Sequence, residues 1–564
     1  MDPLAFTRSR LHAHRWACSK GDHMASGTRR RHAWVAGVVV GLHAGVAAGQ
    51  DFNGDGFADL AIGTPNEDVG AAVDAGAVTI IWGAGPGLGL QVIAAFPPVV
   101  ITQATFGFEV PEAGDLFGWS LAWGDFNGDG FDDLAVGAPG EDLPTGTVDA
   151  GLVLVYYGSP GGLVPMAPPY FSQGPGGLPD PDETGDNLGW SLAAGDFNAD
   201  GFDDLAIGVP MEDVTFADQG MVHQCFGSPG GLMPVGPGIT TFIQPMLGDP
   251  AEATDEFGRT LAAGQFDGFP GDDLAIGVPS EDFAGDGDCG MVMVVYSTPG
   301  FGLDPGAPTA PEIWTQDSPG VPQATNPSDG FGWSLAAGDF DGNGSDDLAI
   351  GVPFENLGAN SDAGVVHVIY SSGLVGVGLD AFGPVPSELW HQNVAGIPEV
   401  NEPFDWFGYS LASGDFNGDG FGDLAIGSPN EDVGAITDAG YVTVIYGAGP
   451  GFGLDAFGPI PAQPWHQNRP GVFNTNEASD RFGWSLTVGD YDGNGSFDLV
   501  VSIPFEDLGV NADCGMVVSI YGSVGVGLDG LGPVPSELWH QNIAGIPDVN
   551  EPGDAFGRSL DQDD

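Results

Sequence analysis

Basic residues are almost absent from this chain. Of 564 residues only 11 are Lys or Arg, against 78 Asp and Glu. Seven of those 11 precede residue 50, and from residue 51 onward four arginines (Arg259, Arg469, Arg481 and Arg558) and no lysine face 76 acids. A surface so one-sidedly negative repels phosphate backbones and anionic lipid headgroups, which excludes nucleic-acid binding. Cysteine is scarce as well. Beyond residue 50 only Cys225, Cys289 and Cys514 remain, an odd number that argues against a disulfide framework. Cys289 and Cys514 both stand in Asp-Cys-Gly, where other copies of the same segment carry Ala or Gln, so they read as small-residue substitutions. There is no Gly-x-Ser-x-Gly elbow, no His-Glu-x-x-His and no Walker loop. A carboxylate pair for glycoside hydrolysis could be picked at will from 76 acids, so its presence carries no information.

What is plentiful points to a folded, turn-rich chain. Hydrophobic residues make up 42%, with 35 Phe and 13 Trp, too many for a disordered acidic tail. The 96 Gly and 46 Pro imply many tight turns between short strands, and no Gly-X-Y period makes them collagen. Something must offset the repulsion among the carboxylates, and divalent cations are the natural candidates. At the N-terminus, Arg29-Arg30-Arg31 precedes an apolar run from Ala33 to Ala48 broken by His43, ending in small residues. That order describes a secretory leader over 1–48, and the run is too short for a membrane span. A start at Met24 would leave a short basic n-region before the same run. The mature chain, 49–564, is expected outside the cell with no membrane span.

One unit repeats through the rest: Phe-Gly-Trp-Ser-Leu-Ala-x-Gly-Asp-Phe-Asn-Gly-Asp-Gly-Phe-x-Asp-Leu-Ala-Ile-Gly-x-Pro. Its acidic loop begins at Asp51, Asp125, Asp196, Gln265, Asp339, Asp415 and Asp490, at spacings of 74, 71, 69, 74, 76 and 75 residues. Each unit carries four strand signals, as at 120–124, 133–137 and 151–158, with a fourth near Trp390, Trp465 and Trp539 in three units. Four short strands repeated seven times predict an all-β, seven-bladed β-propeller of four-stranded antiparallel blades. The first unit lacks the Phe-Gly-x-Ser-Leu segment, which appears instead at Phe556-Gly557-Arg558-Ser559-Leu560. Pairing that last strand with the Asp51 blade would close the ring and remove its open edges.

The loops place oxygen ligands at positions 1, 3, 5 and 9, with a backbone carbonyl at 7, a pattern suited to Ca²⁺; the Gly after position 5 permits the turn. The sets are Asp51, Asn53, Asp55, Phe57 and Asp59; Asp125, Asn127, Asp129, Phe131 and Asp133; and Asp196, Asn198, Asp200, Phe202 and Asp204. They continue as Asp339, Asp341, Asn343, Ser345 and Asp347; Asp415, Asn417, Asp419, Phe421 and Asp423; and Asp490, Asp492, Asn494, Ser496 and Asp498. The fourth loop has Gln265 at position 1 and Phe269 at position 5, and is expected to bind nothing. About six structural calcium ions are therefore expected. Mg²⁺ is the second choice because it demands tighter octahedral geometry, and zinc lacks a Cys/His cluster. The remaining possibility is Asx-rich turns without any ion.

Phe117-Gly118 followed by Gly137-Ala138-Pro139 resembles the FG-GAP repeat, the blade of the propeller in integrin alpha subunits; other units write Gly-Val-Pro, Gly-Thr-Pro, Gly-Ser-Pro or Ser-Ile-Pro. The resemblance covers 51–564. It implies a seven-bladed ring with calcium in the hairpins joining strands 1 and 2, and an extracellular adhesion or recognition role with a protein or glycan ligand. The chain departs from integrins in having no leg domains, no C-terminal membrane helix and more calcium loops than an integrin head keeps. A polymer-degrading extracellular enzyme or a cell-envelope structural component is the alternative.

Two further patterns recur. Six of the seven units have an acidic pair after the Pro, from Glu67-Asp68 to Glu506-Asp507, with Glu355-Asn356 in the other; Asp-x-Gly follows, and the pattern reads as turn chemistry rather than as a ring of binding carboxylates. His391, His466 and His540 each follow Trp and mark equivalent outer strands rather than one ligand set. The Phe and Trp of Phe-Gly-Trp are expected to wedge between neighbouring blades. The long segments 229–256 and 299–329 vary between units as binding loops would, and no Arg-Gly-Asp is present.

Overall fold

The computed structural model describes residues 50–91, 96–107, 110–174, 177–234, 240–282, 287–472 and 474–560. The expected leader, 1–48, lies outside them. Among the described residues the chain forms seven antiparallel sheets of four or five strands, the seven blades of a propeller. In the second blade the strands run Ser120–Gly124, Asp133–Ala138, Leu152–Tyr157 and Val164–Phe171, in sheet order 1-2-3-4. Register is fixed by the repeat itself: Gly124 opposes Asp133 and Ser120 opposes Gly137, and the same pairs recur at Gly338–Asp347 and Ser334–Gly351. The fourth strands at Trp390, Trp465 and Trp539 form as expected, and Glu312–Trp314 adds one more of the same kind. In the first three blades the outer strand ends instead on Ile101, Phe171 or Phe242.

Strands 1 to 3 are buried on both faces. Asp-Leu-Ala-Ile-Gly-Val at 347–352 is wholly enclosed, as is Val365–Ile369. A strand covered on two sides needs no polar alternation, which explains its continuous apolar reading. Each sheet packs on the next, so the core is a set of layers between blades. One layer joins Val153 and Val155 to Leu205, Ile207 and Val209; another joins Leu60 and Ile62 of the first blade to Val500 and Val517 of the last.

The two halves of the repeat motif meet across these layers. Gly351 approaches the next blade so closely that a Cβ there would stand 2.2 Å from the Gly408 carbonyl oxygen and 2.0 Å from Ser334 Oγ. The same Ser334 hydroxyl donates to the Gly408 carbonyl at 2.7 Å, and Ser120, Ser191 and Ser410 make the equivalent bond at 2.7–2.8 Å. A hydroxyl at the start of the first strand thus ties these blades to the Phe-Gly of the next, or to Leu188-Gly189 in the case of Ser120. Tyrosines ending the third strands add a second tie: Tyr370 Oη accepts the Leu454 N–H at 3.1 Å, and Tyr446 Oη accepts that of Leu528 at 3.1 Å.

Ser559–Leu560 pairs antiparallel with Leu60–Thr64, Ile62 opposite Leu560. The last blade departs from the motif at this seam. Ser502 replaces the close-packed glycine, its Oγ accepts the Ser485 N–H at 2.9 Å, and the first strand there begins at Leu486.

The residue after Phe-Gly forms a ring in which aromatics and arginines interleave. Trp119 and Trp190 lie 4.9 Å apart between ring centroids, Arg259 lies 5.3 Å from Trp190 and 5.2 Å from Trp333, and Tyr409 lies 4.9 Å from Trp484. The wedge expected of Phe-Gly-Trp is therefore shared. The Phe is fully buried between blades, whereas the Trp packs against its equivalents in neighbouring blades.

Candidate metal centres

The acidic loops join strands 1 and 2, all at one end of the blades. Asp51 Oδ1 accepts the N–H of Asp55 at 3.0 Å and Oδ2 that of Gly56 at 2.7 Å, and position 1 repeats both bonds in all six complete loops. The position-5 acids Asp55, Asp129, Asp200 and Asp419 stay exposed and accept the N–H of Phe57, Phe131, Phe202 and Phe421 at 3.1–3.2 Å. Position 9 is buried in every loop. Its Oδ1 accepts a backbone N–H from the end of strand 3, from Gly83 to Asp59, Gly158 to Asp133, Gly227 to Asp204, Ser371 to Asp347, Gly447 to Asp423 and Gly522 to Asp498, at 2.7–2.9 Å.

The complete sets differ in what they bring together. In the fifth and seventh blades the carboxylates at positions 1, 3 and 9, Asp339, Asp341 and Asp347, or Asp490, Asp492 and Asp498, put oxygens all within 4.8 Å of one another. Their position-5 amides, Asn343 and Asn494, turn away to the carbonyls of Ser371 and Gly522, while their Oδ1 atoms accept the N–H of Ser345 and Ser496. In the other four loops position 3 is Asn53, Asn127, Asn198 or Asn417, whose Nδ2 faces the position-9 carboxylate at 3.1–3.4 Å. The Oδ1 atoms of Asn53 and Asn417 are buried without a partner. Turning the amide over would add that oxygen to the carboxylates, since its two ends have nearly the same shape.

Burial makes the charged form of position 9 costly. It pushes Asp133 up to about 9 and Asp204 up to about 8, against the lowering N–H groups of Gly158 and Gly227. Asp347, Asp423 and Asp498 are pushed well above the carboxylate range, first by burial and then by neighbouring acids. Oxygen-only donors, buried and of one sign, fit a hard divalent cation.

The fourth loop closes on itself. Gln265 Nε2 donates to the Phe269 carbonyl, its Oε1 accepts the Gly268 N–H at 3.2 Å, and Asp267 takes the Phe269 N–H at 2.9 Å. Asp273 nevertheless keeps the position-9 bond, to Ser297 N–H at 2.8 Å. Position 9 therefore anchors the hairpin to strand 3 whether or not the rest of the set is present.

Two contacts went unread in the sequence because their partners lie in the neighbouring blade. Asp132, Asp203, Asp272 and Asp346, at position 8, accept the N–H of position 1 in the preceding loop at 2.7–2.8 Å. Phe131, Phe202 and Phe421 cover the position-4 glycines of the preceding loops, Gly54, Gly128 and Gly342. The only available sign was acid at position 8 in four units.

The acidic pair after the Pro splits into two roles. Its second member accepts the N–H of the Asp-x-Gly aspartate, as Asp68 does for Asp74 at 3.0 Å and Asp507 for Asp513 at 2.9 Å, and all seven of those aspartates have φ of 50–54°. That is the turn chemistry expected of it. The first member, a glutamate, is buried and reaches elsewhere. Cys289 and Cys514 are buried, each Sγ donating to a backbone carbonyl at 3.6 Å, as a tolerated small residue would. The histidines expected on equivalent outer strands, His391, His466 and His540, stand instead one residue past the ends of three separate outer strands, at equivalent positions.

Matches to the FG-GAP repeat fall on residues 44–81, 117–156, 188–223, 331–369, 407–445 and 482–517. The chain carries six FG-GAP repeats. The six matches pass over the blade of Gln265, whose loop is the incomplete one. Among relatives of this FG-GAP chain, human phosphatidylinositol-glycan-specific phospholipase D is 36% identical over 185 residues, 32% of this chain and 21% of that protein. The rat phospholipase is 32% identical over 192 residues, 34% of this chain and 20% of its own length. Integrin alpha-PS2 of Drosophila melanogaster is 30% identical over 240 residues, 41% of this chain and 14% of the integrin. The likeness thus spans about a fifth or less of each relative. Among solved structures, the exotype rhamnogalacturonan lyase YesX aligns over 87% of this chain and 83% of its own at 11% identity, but its TM-score of 0.33 is too low to bear on fold or function. Among the described residues no helix is long and apolar enough to cross a membrane.

Proposed function

We propose that this protein is a secreted, calcium-clamped propeller that recognises an extracellular partner and performs no chemistry on it. The position 1, 3, 5 and 9 side chains of the six complete loops, with the position-7 carbonyls, would hold the ions. A bound cation would supply the positive charge that lets buried carboxylates such as Asp423 and Asp498 stay ionised.

The observation that carries the recognition role is a set of exposed apolar side chains on an otherwise acidic molecule. Phe382, Phe457 and Leu531 occupy the same loop in three successive blades and are 71%, 70% and 65% exposed. Leu374, Val375, Phe452, Val524 and Val526 are exposed on the neighbouring turns. Those turns rest on the acidic hairpins of the preceding blade, through Gly376 N–H to Asp267 O, Gly451 N–H to Asp341 O and Gly525 N–H to Asn417 O at 2.6–2.8 Å. Calcium in the fifth and sixth hairpins would therefore stiffen the turns of the next blades that carry Phe452 and Val524. Exposed apolar groups repeated in this way mark protein contact surfaces.

Calorimetric titration of the chelator-treated protein, with a melt at each endpoint, tests the clamp: about six hairpin ions and a large rise in Tm are expected. Binding to an extracellular-matrix protein panel in calcium and in chelator tests the recognition. A Phe382→Ser/Phe457→Ser/Leu531→Ser variant that keeps its calcium and Tm should lose panel binding. Undiminished binding by that variant would overturn the assignment of the surface.

A further inference from the structure

At the opposite end of every blade lies a second acidic set. Strand 1 begins there, strand 2 ends there and strand 4 ends there, so the residues flanking them meet where one blade hands over to the next. Just past each outer strand stands a glutamine: Gln103, Gln173, Gln244, Gln316, Gln392, Gln467 and Gln541. Each Nε2 donates to the first glutamate of the acidic pair in the following blade, at 2.5–2.8 Å in five junctions; Gln103–Glu141 and Gln392–Glu431 form the other two bonds. The ring closes through Gln541 and Glu67.

Take the junction between the sixth and seventh blades. Gln467 donates to Glu506 Oε2 at 2.7 Å, and the same amide bears on the carboxylate of Asp480. Asp480 Oδ2 accepts the Glu477 N–H at 2.6 Å, so a third acid borders the site. Gln467 is 0% exposed, Asp480 2% and Glu506 3%. At the fourth–fifth junction Asp329 and Glu355 come within hydrogen-bonding reach of each other. Like carboxylates are being held together out of water.

A second observation is independent of the acids. The Oε1 of every one of the seven glutamines is buried and has no hydrogen-bond partner. All seven glutamines are at most 3% exposed. Stranding one buried amide oxygen is costly; the same acceptor left over at seven equivalent places points to a shared amide orientation and bound species that would satisfy it. Turned over, each amide keeps its shape and points that oxygen at the Glu and Asp carboxylates. The result is an all-oxygen donor set from a glutamine of one blade and a glutamate and aspartate of the next.

We propose that these seven junctions are a second ring of hard divalent-cation sites, distinct from the hairpin loops and lying at the other end of the strands. In each, the Gln Oε1, the Glu carboxylate and the Asp carboxylate hold one ion that bolts two blades together. The competing arrangement has protons in place of ions. Burial, with Asp405 and Glu399 next, pushes Glu431 up to about 9, so its carboxyl could be held neutral.

Counting bound calcium on the metal-stripped, calcium-dialysed full chain by native mass spectrometry separates the two. About thirteen ions are expected, six from hairpins and seven from junctions, and Glu506→Gln should remove one while Asp419→Asn removes a different one. Seven ions that fall with Glu506→Gln and not with Asp419→Asn would support the junctions while removing the hairpin reading. About six ions, unchanged by Glu506→Gln, would overturn the junction proposal and leave the hairpins standing. If Glu506→Gln fails to fold, Gln467→Met and the wild-type count decide.

Discussion

Glycine at position 351 shows how a single atom sets the distance between blades. A methyl group there would stand 2.2 Å from a neighbouring carbonyl oxygen, backbone that cannot swing aside. Gly358, in the turn that follows, has φ of +69° but open space around it. Gly358→Ala should therefore cost only the left-handed strain, about 1 kcal/mol. Gly351→Ala should cost ~3 kcal/mol or more, or prevent folding, because the overpacking has no relief. Urea melts of the two variants check this, and equal losses would refute the packing argument. The sequence displays both glycines of the repeat, yet nothing in it says that Gly351 and Gly408 touch. Their contact spans most of one repeat, and the Ser334 hydroxyl that joins them is a strand residue like any other until the blades are stacked.

Within the elements, the hairpin loop was the most legible part of the chain, because all its donors lie within nine consecutive residues. The structure adds a division of labour among them. Asp415 holds the loop by two backbone bonds, whereas Asp419 is exposed and holds one. Asp419→Ala should lower the calcium-bound Tm while leaving the chelated protein nearly unchanged. Asp415→Ala should lower both, by roughly 1–3 kcal/mol in chelator, since it strands loop N–H groups. The glutamate of each acidic pair was misread for the opposite reason: its partner, a glutamine of the previous blade, is 37–39 residues away in six of the seven junctions. Turn chemistry, which is local, explained only its neighbour.

The third strands also carry a pH dependence. His223 and His367 are fully buried, and burial lowers them to about 4 and about 3. Thr241 Oγ1 lies 3.2 Å from the first, and the Phe331 ring packs on the second. Once unfolded, both imidazoles bind a proton near the ordinary 6.5, so between there and about 4 the unfolded chain holds more protons than the folded one. Stability should fall as pH drops through that window, by up to ~3 kcal/mol per histidine. His367→Gln should flatten its share of the slope in melts from pH 7 to 4, and an unchanged slope would exclude the residue.

At the scale of the molecule, the ring was predictable from its period and from the displaced Phe-Gly-x-Ser-Leu segment. The irregular seam, with Ser502 in place of glycine, was visible as a spelling change without a meaning. Removing residues 557–560 takes away the strand that pairs with Ile62 and Gly63 and exposes the layer around Leu60 and Val517. The shortened chain should melt at a lower temperature and in a broader transition, with the first and last blades losing hydrogen-exchange protection first. A sharp, unshifted melt would show that the seam contributes nothing.

That seam also sets a timetable. The bond from Gln541 to Glu67 joins residues 474 apart, and the strand at Ser559–Leu560 is synthesised after every other strand of the ring. At ribosomal rates of about 5–20 residues per second, the first blade waits roughly half a minute or more with one layer bare. Its exposed edge must stay out of trouble for that interval. A dense coat of like charge, which weakens the finished ring, keeps growing chains apart while it is still open.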